Sequence, residues 1–96
     1  MEKDEIIFFL RKFKESASHK YSIRKIGFFG SAARGSMNKK SDIDVVVDLA
    51  DPNLFNLIGI KLELEEQLHL PVDIVRYHQK MNEFLKKRID KDAVYV

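Results

Sequence analysis

Residues 26–49 read IGFFGSAARGSMNKKSDIDVVVDL, and the alternation of apolar and polar positions in this stretch decides the fold. Ile26-Gly27-Phe28-Phe29 is a short apolar run stopped by Gly30, which reads as a strand. Ser31 to Arg34 can then open a short helix. The run from Asp42 to Leu49 is rich in β-branched residues and ends in the turn chemistry of Asp51-Pro52-Asn53, so it reads as a second strand. Side chains alternate along a strand, so Asp42 and Asp44 leave the same face with their Cα atoms roughly 6–7 Å apart.

On the amino-terminal side, Ile6, Phe9, Leu10, Phe13 and Ala17 recur at helical spacing and predict an amphipathic helix. Beyond the second strand, Leu54, Leu57, Ile58, Ile60, Leu62, Leu64 and Leu68 mark a helix whose apolar arc is wider than one sheet face requires. Core and interface both account for the surplus. Val72-Asp73-Ile74-Val75 follows Pro71 as a third strand, and a last helix carries Met81, Phe84, Leu85 and Ile89 on one face. Ala93 to Val96 can add a short edge strand. A crossover helix of this length forces the second and third strands to lie parallel, since a tight hairpin cannot join them. Their starting ends then lie side by side, which brings Asp73 toward Asp42 and Asp44. The expected fold is α/β, a small mixed sheet with flanking helices, in a single domain over residues 1–96.

Three neighbouring carboxylates repel and raise one another's pKa values unless positive charge lies between them, and hard, oxygen-seeking Mg²⁺ or Mn²⁺ suits that role. Two such ions about 3.5–4 Å apart would serve phosphoryl transfer. Across from the acids, the loop from Gly30 to Gly35 follows a strand and opens a helical turn. Its backbone N–H groups, the Ser31 hydroxyl and the Arg34 guanidinium can converge on phosphate oxygens. Arg34 is equally suited to pair with a carboxylate and steady the loop. No Gly-Lys-Ser/Thr ends the loop and no G-x-G-x-x-G is present, so P-loop and dinucleotide-binding readings are poor.

Composition narrows the partners. Seventeen Lys and Arg against fifteen Asp and Glu give a formal net charge of +2, too near balance for a dedicated nucleic-acid binder. The absence of cysteine excludes disulfides, thiol nucleophiles and Cys-based zinc sites. The apolar run Ile6 to Leu10 is too short for a signal segment or a membrane span, so a cytoplasmic location is expected. At 96 residues there is no room for a separate acceptor-binding domain, which points to a partner protein, with a second copy of the chain left open. His19, His69 and His78 lack ligand spacing and read as caps or surface residues. Asp48 reads as a strand-end or turn residue, and Lys39-Lys40 and Lys86-Lys87-Arg88 as solvated charge.

Gly30-Ser31, ten intervening residues, Asp42-x-Asp44, and then an apolar-Asp-apolar strand at Asp73 together resemble the polymerase-β-like nucleotidyltransferase superfamily, over about Ile26 to Val75. Chain length, Arg34-Gly35 and Ser41-Asp42-Ile43-Asp44 make the chain look more narrowly like the minimal nucleotidyltransferases, many of which are antitoxins paired with a helical HEPN-domain toxin. The resemblance implies a mixed sheet with the first two strands antiparallel. It implies that Gly30 and Ser31 hold a triphosphate, that Asp42 and Asp44 ligate two Mg²⁺ or Mn²⁺ ions, and that Asp73 completes the metal site nearer the acceptor. By the same resemblance the donor is ATP and the acceptor a tyrosine hydroxyl of the partner toxin. The rival expectation is a non-catalytic antitoxin that neutralises its partner by binding. Transfer to RNA or to a small antibiotic ranks last, because this chain would have to borrow the acceptor site.

Overall fold

A computed structural model describes residues 1–36 and 42–96. The Lys39-Lys40 pair lies outside the described residues. Helix α1 spans Lys3–Tyr21, with Asp4 and Glu5 in its first turn and Lys20 in its last, each sign at the helix end that favours it. The backbone N–H of Glu2 donates to Glu5 Oε1 at 3.1 Å, which satisfies a group at the helix start. Ile6, Leu10, Phe13, Ala17 and Tyr21 form its buried stripe.

The remaining elements are β1 (Ile23–Phe29), a four-residue α2 (Ser31–Arg34), β2 (Ile43–Leu49), α3 (Leu54–Leu68), β3 (Val72–Arg76), α4 (Glu83–Asp92) and β4 (Val94–Tyr95). The sheet order is β3-β2-β1-β4. β1 runs antiparallel to β2 and to β4, while β2 and β3 are parallel, so the sheet is mixed as expected. Asn53 caps α3 by accepting from the Asn56 N–H at 2.8 Å, and Asn82 caps α4 by accepting from Leu85 at 3.1 Å.

Alternation along the strands sorts the core into two layers. Ile43, Val45, Val47 and Leu49 of β2 face the cluster built on α1 and α3, where Ile60, Leu64 and Leu68 are buried. Phe29 and Val46 point the other way, into a smaller cluster with Met81 and Ile89. Position parity therefore puts Asp44 on the α4 side of the sheet, since it shares a face with Val46.

Three details differ from the sequence reading. β1 starts at Ile23 rather than Ile26, because the exposed Arg24 and Lys25 break the apolar pattern while the strand still pairs with β2 around a register shift. Met81 is buried ahead of α4 rather than within it. Phe84 is 81% exposed, because the helix starts at Glu83 and turns Phe84 about 100° away from the inward Leu85. Of the wide α3 arc, Leu54, Ile58 and Leu62 stay exposed, and Phe55, which the arc did not include, is exposed beside them, so the surplus is not core. No helix of the described residues is long and apolar enough to cross a membrane.

Candidate active site

The parallel register pairs Asp44 directly with Asp73, and the antiparallel register sets Phe29 against Asp44. Hence Gly30, the residue after Phe29, sits at the strand end beside the Asp44 carboxylate. Two contacts fix the start of β3: Ile43 N–H donates to the Pro71 carbonyl at 3.0 Å, and Val72 N–H donates to Glu65 Oε2 at 2.9 Å. Glu65 on α3 thereby positions Asp73. Asp42 lies exposed just before β2 and Asp73 is exposed, whereas Asp44 is half-buried.

Gly30 has φ 72 and ψ −146, backbone that residues with a side chain rarely adopt. A Cβ built there would run into the Asp44 carboxylate. The glycine thus serves twice, allowing the turn from β1 into α2 and leaving room for Asp44. Ser31 follows, half-buried, at the first position of α2.

Arg34 does not lie free. Its Nη1 donates to Asp92 Oδ2 at 2.9 Å, tying the loop to the last residue of α4, with Asp92 the more shielded partner. Asp48, at the far end of β2, accepts from Arg24 Nη2 at 3.2 Å and takes no part in the acid group. Its strand-end reading holds.

The Asp44 carboxyl is pushed above its ordinary pKa by burial first and next by the charge of Asp73, with Asp42 adding to both. Arg88 and, more weakly, Arg34 pull the other way. Among the described residues Arg88 is the cation that bears most on Asp44, yet as part of a basic run it reads in sequence as solvated charge. Only the docking of α4 on the acid-bearing face reveals it. Among the described residues no three His, Asp or Glu side chains already stand close enough together to hold an ion. The acids are a side-by-side pair, Asp44 and Asp73, with Asp42 felt through its charge. The donor set still fits a divalent cation: all three groups are hard carboxylate oxygens, and a cation would relieve what burial and Asp73 impose on Asp44.

The comparisons with known proteins agree with this geometry. A Methanocaldococcus jannaschii relative, provisionally named a protein adenylyltransferase, is 36% identical over 96% of this chain and 95% of its own length. The protein adenylyltransferase MntA of Thermococcus cleftensis is 33% identical over 97% of this chain and 94% of its own. Among solved structures, one provisionally described as a minimal nucleotidyltransferase superposes with TM-score 0.78 at 27% identity, covering 98% of this chain and 95% of that one. A tri-AMPylated HEPN toxin of Shewanella oneidensis in complex with an MNT antitoxin gives TM-score 0.61 at 21% identity, covering 97% of this chain and 66% of that one, a likeness of fold. The nucleotidyltransferase domain model matches residues 10–96, and with the Gly30 turn set against a register-paired Asp44 and Asp73, the chain belongs to the nucleotidyltransferase domain family.

Proposed function

We propose that this chain moves AMP from ATP onto a tyrosine hydroxyl of a helical HEPN-type toxin, with Mg²⁺ or Mn²⁺ as cofactor, and so acts as an antitoxin working as one minimal domain. The observation that carries the reading is the pairing of Asp44 with Asp73 on parallel strands, with Gly30 backed against Asp44. The relatives named as protein adenylyltransferases support the donor and the reaction class. The toxin–antitoxin fold likeness supports the partner.

Asp42, Asp44 and Asp73 are the residues that would hold two ions, which when bound supply charge neutralisation to the phosphates and lower the pKa of the acceptor hydroxyl. Ser31 donates its hydroxyl to a phosphate oxygen, and Arg34 reaches the triphosphate by exchanging Asp92 for a phosphate. The acceptor oxygen bonds to the α-phosphorus as the bond to the bridging oxygen breaks. Pyrophosphate leaves with the electron pair and the hydroxyl proton passes to solvent.

Intact-mass spectrometry of the toxin after incubation with the chain, ATP and Mg²⁺ tests the reading. Increments of whole AMP units that vanish with Asp44→Asn are expected. A toxin neutralised without mass change, and equally well by Asp44→Asn, sinks it and leaves neutralisation by binding alone. That rival has one observation in its favour, the exposed apolar stripe of α3, which suits a tight protein contact.

A further inference from the structure

We infer that the outer face of α4 holds the nucleoside end of the donor, with Phe84 as the platform for the base and Arg88 as a ligand of the phosphates. The inference rests on the donor reading above and adds a base subsite to it.

Ile89 packs with Phe29 and Val46, and Phe29 is the register partner of Asp44, so α4 lies on the face that carries the acids. The contact between Asp92 and Arg34 at 2.9 Å brings the end of α4 to the phosphate loop. At about 100° per residue, Arg88 stands next to the inward line of Leu85, Ile89 and Asp92, and Phe84 and Lys91 stand just beyond it. Arg88 thus separates the acid side of the helix from the exposed ring.

Glu83, Phe84, Lys87, Arg88 and Lys91 line a hollow of about 310 Å³. A bare aromatic ring beside three cations and the single carboxylate of Glu83 makes a net positive face, which matches a ligand that is flat and aromatic at one end and polyanionic at the other, as a nucleoside triphosphate is. Phe84 and Arg88 are separated by roughly 6 Å along the helix axis, close to the span of a ribose between base and α-phosphate. A stacking platform reads the π-face of a base, in keeping with a sequence that shows no base-reading motif.

Titration calorimetry of the full chain in Mg²⁺ tests this, using ATP and inorganic tripolyphosphate as separate probes. Phe84→Ala should weaken ATP about tenfold or more and leave tripolyphosphate unchanged, because only ATP carries a base. Arg88→Gln should weaken both by a similar factor. Lys86→Gln, a control on another face of α4 where Lys86 bonds Gln79, should weaken neither. Phe84 is exposed, so its variant should fold, which equal melting temperatures would verify. If Phe84→Ala binds ATP as the parent does, or loses tripolyphosphate to the same extent, the base subsite is wrong while the donor reading stands. If it keeps ATP and instead loses the partner toxin, the face is a protein contact and the inference falls. If the parent binds neither probe, the donor reading fails and takes the subsite with it.

Discussion

At residue scale the site depends on a glycine and a carboxylate that compete for the same space. Gly30 holds a positive φ, and a Cβ there would strike Asp44. Gly30→Ala should therefore cost about 1–3 kcal/mol of stability in denaturant titration, and it should also cost most of the transfer rate, since the Asp44 carboxylate must move. A variant as stable and as active as the parent would show that the turn relaxes freely. Asp44→Asn should act in the opposite sense on stability. Burial and Asp73 make an ionised Asp44 costly, so in metal-free buffer the variant should melt higher, by about 2–6 °C. Transfer should be lost at the same time. A lower melting temperature would mean that the carboxylate is stabilising and that burial and the Asp73 charge do not govern it.

At element scale, two polar ties join helices that the sequence alone leaves separate. Lys20 Nζ lies 3.1 Å from Glu63 Oε1, linking α1 to α3. The Tyr21 phenol first, and Lys20 with it, hold the Glu63 carboxyl below its ordinary pKa, against a smaller opposing effect of burial. A depressed folded pKa means that the unfolded chain binds the proton more tightly. The contribution is then present at neutral pH and lost as pH falls through the depressed value. Glu63→Gln should lower the melting temperature slightly at pH 7 and by less near pH 3, with solvent screening keeping the effect small. An equal shift at both pH values would point to packing instead.

The second tie, Arg34 with Asp92, separates two roles that Arg34 can play. If the pair only steadies the loop, Asp92→Ala and Arg34→Ala should slow transfer equally. The proposed phosphate role predicts that Arg34→Ala is slower by about tenfold or more, since it alone removes a charge-assisted bond to the donor. Equal rates would leave Arg34 a structural residue. A carboxylate partner for Arg34 was one of the two roles its sequence position allowed, but the partner in neither tie was legible, because each joins residues far apart in sequence. The same limit hid Arg88, which sits in a run of charge until α4 docks. It also misplaced Phe84, whose direction depends on a helix start that Asn82 sets.

At the scale of the whole molecule, the sheet divides the labour. One face carries α1 and α3 over the main core, and the other carries α4 and the acids. The parallel pairing of β2 with β3 was readable from the length of the crossover helix, and with it the meeting of Asp44 and Asp73. Whether the apolar surplus of α3 was core or interface was not readable, because periodicity shows only that a face is apolar. The structure buries Ile60, Leu64 and Leu68 and leaves Phe55 86% and Leu62 57% exposed, with Ile58 between them on the same stripe. Such a stripe suits a partner, and the toxin proposed above is the occupant it should take. Phe55→Asp with Leu62→Glu should leave the melting temperature nearly unchanged, because exposed positions contribute within about 0.5 kcal/mol. ATP binding should also persist, since the stripe lies on the helix layer opposite the acids. Association with the toxin should weaken by about 2 kcal/mol or more, roughly thirtyfold, as expected when central apolar anchors become charged. Calorimetry against the purified toxin reads the change directly. Undiminished binding would move the docking surface to the acid-bearing face, where the toxin would have to approach past α4 to present its tyrosine.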